Sequence, residues 1–325
     1  MGACESALIL KLKFFMKEIY QTITFTVEAI LKLGLTVFPT LLEGILPIRG
    51  VAALGGSSDL GKSRLLLQLC ICVVSGAGSF LGFKLNVKKR SAIFVSTEDD
   101  DYSTCIRLNQ LKKHLNEECL HNLRFLFDTN NLLENLDQEL TLKPASLIII
   151  DTFGDIFPGT LNDSISVRRF LKGYRELAYK HDCLIIFNHH CSKRNDSRIP
   201  SKDNLLGSQG FESSIRTVLE LRADLWDNKK RHLCIVKGNE VAPEFKNDSF
   251  EMSFDFEEGF LNTGVRVPFA KLAITPSKAK SMNVDSRLAE LKQEGKSIRE
   301  ATEKLNTEGF DIGKSTVGKM FKTSF

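Results

Sequence analysis

The stretch at residues 49–67 reads RGVAALGGSSDLGKSRLLL, and from Gly56 to Ser63 it matches GxxxxGK followed by Ser or Thr. An apolar run that suits a strand precedes this pattern, and a run of helical character follows it. In that setting, backbone N–H groups and the N-terminus of the helix face a bound polyphosphate. The stretch therefore predicts a phosphate-binding loop between a strand and a helix.

Each position in this loop has an expected task. The Lys62 ammonium reaches the β and γ phosphate oxygens, and the Ser63 hydroxyl meets Mg²⁺. Asp59 is unusual, because a carboxylate repels polyphosphate unless it points outward. ATP and Mg²⁺ are the expected cofactors, and the residues expected to bind the nucleotide are Gly56, Ser57, Ser58, Asp59, Leu60, Gly61, Lys62, Ser63 and Arg64.

Short apolar runs alternate with longer segments of helical period from Arg49 onward. Such alternation predicts βαβ units around a mainly parallel, twisted sheet flanked by helices, which is an α/β fold. The predicted strands are Val51–Leu54, Ala92–Val95, Leu123–Phe127, Leu147–Ile150 and Leu184–Phe187. Further strands are expected at Val218–Leu221, His232–Lys237 and Phe250–Phe254, without long helices between them.

Carboxylates stand at the ends of two predicted strands. Asp151 ends one apolar run, where a carboxylate beside the phosphate loop is placed to hold Mg²⁺ through water. Glu98 follows another strand and is a candidate to orient and polarise the attacking water. Asp99 and Asp100 compete for that assignment, and a solvated acidic turn is the alternative interpretation. These residues predict Mg²⁺-dependent phosphoryl chemistry, with Ser63 and Asp151 as the metal ligands.

Five blocks of sequence carry a resemblance to a known family. In chain order they read LLEGILPIRGVAALGGSSDLGKS, SGAGSFLGFKLNVKKRSAIFVSTEDD, IIIDTFGDIFPGTLNDSISVRRFLKGYRELAYKHDCLIIFNHH, GSQGFESSIRTVLEL and CIVKGNE. The chain resembles RecA-type P-loop ATPases of the plasmid RepA helicase-like branch, which are relatives of hexameric DnaB-type replicative helicases. The resemblance covers roughly residues 38–250 and implies a RecA-like core. It also implies that Glu98, rather than its acidic neighbours, is the catalytic glutamate.

The resemblance places the residue that senses the γ-phosphate after the Leu184–Phe187 strand, in the run Asn188-His189-His190. We predict His189 for this task and keep His190 as the alternative. Residues 191–209 contain Lys193, Arg194, Arg198 and Lys202 among Ser, Asn and Gly. This segment is predicted either to meet DNA phosphates as a loop or to be merely solvated.

In related hexameric motors the nucleotide lies between subunits, and a basic residue of the neighbour stabilises charge on the transferred phosphate. Arg216 and Lys237 are the candidates by position. DnaB-type motors often carry Lys-x-Arg at the second place, whereas this chain has Lys237-Gly238-Asn239. Without that arginine, Arg216 is expected to be the basic residue that stabilises charge on the neighbour's transferred phosphate, with Lys237 as the second candidate.

Four domains are predicted along the chain. Residues 1–35 form an N-terminal helical extension, residues 36–262 the ATPase domain and residues 263–282 a linker. Residues 283–325 are predicted as a small all-α, helix-turn-helix-like module, in which Ser297 to Glu300 form a capping box. The last 55 residues hold 11 Lys/Arg and 7 Asp/Glu, so they carry all of the chain's excess positive charge. This module is predicted to bind DNA, with a structural cap or protein-docking module as the alternative.

The cysteine pattern and the apolar runs indicate in which cellular compartment the protein is expected. The eight cysteines form no CxxC pair and no signal peptide precedes them, so we expect reduced thiols in a cytoplasmic protein. No zinc site is expected at His189, His190 and Cys191, because the sequence has no second group of metal-binding residues at a spacing typical of zinc ligands. The uncharged run at residues 65–83 is long enough to suggest a membrane span, but it contains glycines and directly follows the phosphate loop. We therefore predict a buried helix and loop there, and we expect no interaction with a membrane.

Together these features predict an ATP-hydrolysing motor that acts on DNA in plasmid or phage replication, as a helicase-like protein. Single-stranded DNA is the expected nucleic-acid partner. A homo-oligomeric, hexameric ring is expected, with nucleotide at the subunit interfaces and a replication partner at the C-terminal module. One alternative is a non-translocating ATPase that loads or regulates a nucleoprotein complex. Another is a DNA-binding regulator whose ATPase activity has decayed.

Overall fold

The computed structural model describes residues 24–191, 198–256, 258–273, 284, 287–308, 310 and 312–323. The chain divides into two compact units, Met1–Pro39 and Thr40–Phe325. In the first unit, helix α1 (Val27–Leu31) begins after Thr26, whose hydroxyl accepts a hydrogen bond from the Ala29 N–H at 3.2 Å. Most of the predicted N-terminal extension, residues 1–23, lies outside the described residues.

The second unit is built on a nine-stranded sheet and two small hairpins. The hairpins pair β1 (Thr40–Leu42) with β2 (Leu46–Pro47) and β4 (Ser79–Phe80) with β5 (Phe83–Lys84). The strands of the large sheet are β3 (Gly50–Gly56), β6 (Ala92–Ser96), β7 (Leu123–Leu126), β8 (Leu147–Asp151), β9 (Leu184–His190), β10 (Thr217–Ala223), β11 (Lys230–Gly238), β12 (Asp248–Asp255) and β13 (Gly259–Pro268). Every predicted strand has a counterpart among them.

Helices connect the strands of the large sheet. They are α2 (Lys62–Ser75), α3 (Asp101–Gln110), α4 (Glu117–Asn122), α5 (Leu132–Leu142), α6 (Phe153–Ile156), α7 (Ser164–His181) and α8 (Ser208–Ser214). Of the described residues, none lies in a helix with both the length and the apolarity required to cross a bilayer. The run at residues 65–83 instead forms most of α2, as predicted, followed by the β4–β5 hairpin.

The large sheet has the strand order β13-β12-β11-β10-β3-β9-β8-β6-β7. The six strands from β10 to β7 run parallel to one another, and β11, β12 and β13 are added antiparallel at one edge. This arrangement confirms the prediction of an α/β fold with a mainly parallel sheet, and it is consistent with a RecA-like core. All the parallel strands end at the same edge of the sheet, where the phosphate loop follows β3.

The parallel strands are buried on both faces, which explains why they read as continuous apolar runs. One face packs against α2, and Leu184 and Ile186 of β9 lie on it. The other face packs against α5, α7 and α8, and Ile185 and Phe187 lie there. Successive side chains of a strand therefore enter two separate cores.

The antiparallel edge extends beyond the boundary that the sequence indicates. Residues 263–268, predicted as the start of the linker, form the second half of β13 and pair with β12. A turn at Phe269–Ala273 follows, and Phe269 and Leu272 pack against Cys234. Regular structure thus continues about ten residues past the predicted boundary at residue 262, because an outer strand tolerates polar residues and a terminal proline that resemble a linker. Residues 274–282 lie outside the described part.

The C-terminal residues form a small helical cluster. Residues 287–293 are helical, and they are followed by α9 (Ile298–Thr307) and α10 (Lys314–Thr323). The predicted capping box is present, with the Ser297 hydroxyl and the Glu300 carboxylate each bonded to the other's backbone N–H. The residues buried between these helices are Val284, Leu288, Leu291, Ala301, Leu305 and Val317.

Candidate functional site

The phosphate loop bends sharply between β3 and α2. Gly56 has φ 156°, and a Cβ at this position would lie 2.6 Å from the Leu221 carbonyl oxygen. Gly61 adopts a left-handed conformation with φ 87° directly before α2 begins. Asp59 is exposed, which satisfies the condition that its carboxylate point outward. The loop thus leaves the N-terminus of α2 facing the end of the sheet.

Lys62 is buried beside this loop, with 5% of its surface exposed. Its ammonium donates a hydrogen bond to the Ser57 carbonyl oxygen at 2.7 Å. Burial lowers the pKa of Lys62, while the nearby charges of Asp151 and Glu98 oppose that shift. A cation held in this way is positioned to neutralise phosphate oxygens without moving far.

Asp151 lies at the end of β8, next to the phosphate loop. Its carboxylate accepts a hydrogen bond from Nδ2 of Asn188, and the Ser63 side chain lies close to it. Burial raises the pKa of Asp151, and the polar groups of Ser63 and Asn188 act against the increase. The structure therefore brings the two predicted metal ligands, Ser63 and Asp151, close to each other.

The three acidic residues after β6 are used differently. Asp99 forms an ion pair with Arg107 at 2.5 Å, and Asp100 caps α3 by accepting from the Ser103 N–H at 2.8 Å. Glu98 is half-exposed, and its Oε1 lies 3.5 Å from Nε2 of His190. Because its two neighbours are engaged in starting α3, Glu98 is the carboxylate of the three that faces the end of β9.

The two histidines of β9 lie on opposite faces of the sheet. The His189 ring packs against Phe153 and Phe211, and its Nε2 is 2.8 Å from the Leu206 carbonyl oxygen. Burial lowers the pKa of His189 to about 4, so the ring is neutral at pH 7 and Nε2 donates the hydrogen bond. His190, the alternative in our prediction, is the histidine that approaches Glu98. His189 instead links the end of β9 to the segment that precedes α8.

That segment belongs to the predicted DNA-facing loop, of which residues 198–207 are described before α8. Arg198 is exposed, whereas Lys202 forms an ion pair with Glu212 at 3.0 Å. Glu220 of β10 is buried and accepts a hydrogen bond from the Ser201 N–H at 3.0 Å. Lys193 and Arg194 lie outside the described residues. The far end of the loop is therefore anchored on β10.

The structure does not bring Arg216 and Lys237 to the phosphate loop of their own chain. The Arg216 N–H donates to the Val51 carbonyl oxygen, so Arg216 lies level with the start of β3. Five residues of strand separate Val51 from Gly56, a distance of about 17 Å. Lys237 lies level with Val218 near the same edge and forms an ion pair with Glu212 at 2.9 Å. Any action of these residues on nucleotide requires a neighbouring subunit.

Arg64 is directed away from the loop. Its guanidinium donates to Oε1 of Gln110 at 2.8 Å, at the end of α3. Arg64 is 7% exposed, and burial lowers the pKa of the guanidinium. Its backbone remains at the start of α2, but its side chain joins two helices instead of facing the predicted nucleotide.

The antiparallel edge of the sheet also supports the loop, a feature absent from our sequence prediction. Nε of Arg231 donates to the Leu60 carbonyl oxygen at 3.3 Å. Gln68 of α2 bonds both the N–H and the carbonyl of Phe260 at 2.8 and 2.9 Å. A polar Gln68 within the apolar run of α2 was the available signal for this contact. No local pattern marks Arg231, because the contact joins residues far apart in the chain.

A second polar cluster lies among β10, β11 and β12. Asp224, His232 and Glu251 have ligand atoms within 4.8 Å of one another. Nε2 of His232 is already 2.8 Å from Asp224, and its Nδ1 is 3.1 Å from the Ser249 hydroxyl. Glu251 forms an ion pair with Lys230 at 3.1 Å. Since these groups satisfy one another, the cluster stabilises the edge strands without requiring an ion.

The residues at the phosphate loop fit ATP and Mg²⁺. A hydroxyl and a carboxylate are the hard oxygen ligands that Mg²⁺ prefers, and Ser63 and Asp151 provide them side by side. The loop N–H groups and buried Lys62 suit a polyphosphate. Oδ1 of Asn188 is buried without a hydrogen-bond partner among the described residues, so the site also holds an unused acceptor.

Two comparisons with known proteins agree with this geometry. One relative is DNA repair protein XRCC3 of Mus musculus, which is 28% identical over 144 residues. That match covers 39% of this chain and 40% of the relative, so the chain spans well under half the length of that protein. A family model described as an AAA domain matches residues 22–196, more than half of the chain. With its phosphate loop and mainly parallel sheet, the protein therefore belongs to this AAA domain family and is a RecA-like P-loop ATPase.

Proposed function

We propose that the protein is an ATP-hydrolysing motor that acts on DNA, related to the plasmid RepA helicase-like branch. The observation that carries the proposal is the convergence of Lys62, Ser63, Asp151 and Glu98 at one edge of the sheet. The likeness to a DNA repair protein supports the choice of DNA as the substrate. The test is the steady-state ATPase rate with and without single-stranded DNA, followed by strand displacement on a forked duplex.

The proposed chemistry divides among the chain's own residues. Lys62 and the loop N–H groups hold the β and γ phosphates, and Ser63 and Asp151 hold Mg²⁺. The metal neutralises charge on the phosphate oxygens when it is bound. Glu98 orients and polarises the attacking water, and the 3.5 Å approach of His190 gives that carboxylate a polar neighbour. In this proposal, DNA stimulates hydrolysis because the loop between β9 and α8 changes the arrangement of these residues when it contacts DNA.

We further propose that the active assembly is a homo-oligomeric ring, with six subunits as in the family that the chain resembles. Arg216 is exposed at the edge of the sheet opposite the phosphate loop, where only another subunit's nucleotide is accessible to it. Lys237 is less suited, because Glu212 already neutralises it at 2.9 Å. Arg216 is therefore the proposed residue that acts on the neighbour's phosphate.

A non-translocating ATPase that loads or regulates a nucleoprotein complex is the second candidate. It is favoured by the Lys237-Gly238-Asn239 sequence, which lacks the arginine of Lys-x-Arg, and by the pairing of Lys237 with Glu212. Both candidates predict DNA-stimulated ATPase activity. Displacement of a labelled strand identifies the motor, whereas stimulated hydrolysis without displacement identifies the loader or regulator.

The contact between His189 and Leu206 predicts that a mutation of His189 affects stimulation by DNA more than basal ATP hydrolysis. We expect His189→Ala to keep part of the basal ATPase rate and to lose stimulation by single-stranded DNA, because the link from β9 to the loop is broken. His189→Gln retains a donor of similar reach and should restore part of the stimulation. The measurement is the ATPase rate against DNA concentration, with the thermal midpoint of each variant recorded. Full stimulation in His189→Ala, with loss in His190→Ala, would transfer the task to His190.

The C-terminal helices predict a change in salt dependence. Deletion of residues 283–325 removes eight Lys/Arg and seven Asp/Glu and leaves every proposed nucleotide-site residue in place, so basal ATPase activity should persist. If Lys314 and Lys319 contact DNA phosphates, the truncated protein binds DNA more weakly. The slope of log affinity against log salt then falls by about 0.7–0.9 for each lost phosphate contact.

The same truncation tests the alternative for this module. An unchanged salt slope excludes contact with the DNA backbone. If the slope is unchanged and the truncated protein no longer assembles, the module is a docking cap, and its lysines are a solvated face.

A further inference from the structure

Asn188 occupies an unusual position beside the phosphate loop. It lies near the end of β9, level with Leu54 of β3, and is 2% exposed. Its Nδ2 donates to Oδ1 of Asp151, while its own Oδ1 has no hydrogen-bond partner among the described residues. Buried acceptors are nearly always paired, so this open acceptor requires an explanation.

The chemistry of the pair decides which way the amide points. The Asp151 carboxylate is an acceptor, so the amide nitrogen of Asn188 must face it. The carbonyl oxygen is consequently turned away from Asp151, and it stays in that orientation as long as the hydrogen bond persists. The open acceptor therefore has a fixed direction.

Asn188 also lies on the appropriate face of the sheet. Side chains alternate along β9: Ile186 packs on the face of α2, and Phe187 packs on the opposite face. Asn188 thus shares the face of α2, whose second residue, Ser63, lies close to Asp151. The adjacent His189 packs on the other face, against Phe211.

We propose that Asn188 is a positioning residue of the magnesium site. Its Nδ2 holds the Asp151 carboxylate in place, and its Oδ1 accepts a hydrogen bond from a water bound to Mg²⁺. Mg²⁺ in nucleotide sites keeps several of its waters, and groups that bond such outer ligands determine how tightly the metal is held. This inference rests on the proposed ATPase function and names a further residue of the same site.

The experiment measures binding of a fluorescent, non-hydrolysable ATP analogue, first in EDTA and then during a Mg²⁺ titration. Asn188→Leu removes both the donor and the acceptor at similar volume. We expect its affinity in EDTA to match wild type within about threefold, while the Mg²⁺ midpoint rises about 10–100-fold. Ser249→Ala, which removes a buried hydrogen-bonding group in β12, serves as the control and should keep the wild-type midpoint.

Asn188→Asp tests the acceptor role of Oδ1 separately from the donor role of Nδ2. It retains an acceptor but places a second carboxylate beside Asp151, so binding in EDTA should weaken and Mg²⁺ should restore most of it. If Asn188→Asp shows the same raised midpoint as Asn188→Leu, Oδ1 does not act as an acceptor for metal-bound water.

Other outcomes overturn the inference or the function beneath it. An unchanged Mg²⁺ midpoint in Asn188→Leu overturns the inference, as does equal loss of binding in EDTA and in Mg²⁺, which would indicate a purely structural residue. If wild-type protein shows no Mg²⁺-dependent binding of the analogue, the proposed function fails instead.

Discussion

Replacement of Lys62 by alanine should lower ATP hydrolysis by about a thousandfold or more. The variant loses a charge-assisted contact to the β and γ phosphates in a site where water is largely excluded. Folding should survive, because alanine suits the first turn of α2 and the lost hydrogen bond to Ser57 belongs to the loop itself. The measurement is the steady-state release of phosphate at saturating ATP, together with the thermal midpoint.

Lys172→Ala provides the matched control for this experiment. Lys172 is an exposed lysine of α7 whose ion-pair partner, Glu176, lies one turn further along the helix at 3.6 Å. Its removal should change neither hydrolysis nor stability measurably. Wild-type hydrolysis by the Lys62 variant would show that the nucleotide site is elsewhere.

The second large effect separates two carboxylates that stand at neighbouring strand ends. Glu98→Gln should bind Mg·ATP normally and hydrolyse it at least about a hundredfold more slowly, because the glutamine cannot polarise the attacking water. Asp151→Asn should instead weaken the metal-dependent part of nucleotide binding, since it removes the charge that faces Mg²⁺. Analogue binding with and without Mg²⁺, measured beside single-turnover hydrolysis, distinguishes the two variants.

Asp99→Asn is a useful comparison for Glu98→Gln. Asp99 lies next in the chain, but its carboxylate is held by Arg107 at 2.5 Å, so we expect a loss of stability larger than any loss of catalysis. Equal loss of nucleotide binding in Glu98→Gln and Asp151→Asn would show that Glu98 does not orient the water. A greater catalytic loss in Asp99→Asn than in Glu98→Gln would transfer that task to Asp99.

The division of labour among the three acids illustrates a limit of sequence reasoning. Glu98, Asp99 and Asp100 are chemically similar and adjacent, so their order in the chain does not separate them. The start of α3 separates them, because Asp100 caps that helix and Arg107, two turns later, pairs with Asp99. Only the resemblance to a known family favoured Glu98 in advance, and its catalytic assignment remains a prediction.

The histidine pair shows a second limit. Our prediction ranked His189 before His190, yet the His189 ring lies on the face of α8 and His190 approaches Glu98. A half-buried strand would reveal its faces through alternating polar and apolar residues. Leu184–Phe187 is apolar throughout because β9 is covered on both sides. The sequence therefore did not indicate on which face of the sheet each of the next three side chains lies.

The features that could be predicted from the sequence are local in origin. The loop from Gly56 to Ser63, the strand before it and the helix after it depend on glycine geometry and on neighbouring backbone groups, so a short pattern suffices to predict them. The parallel strands were likewise predictable, because double burial demands uninterrupted apolar runs. The structure was needed to reveal two contacts between distant segments, Asn188 with Asp151 and Arg231 with the phosphate loop. It was also needed to reveal that β13 continues beyond the expected boundary. The two contacts join residues 37 and 171 positions apart in the chain, and no local pattern records which side chains a sheet will bring together.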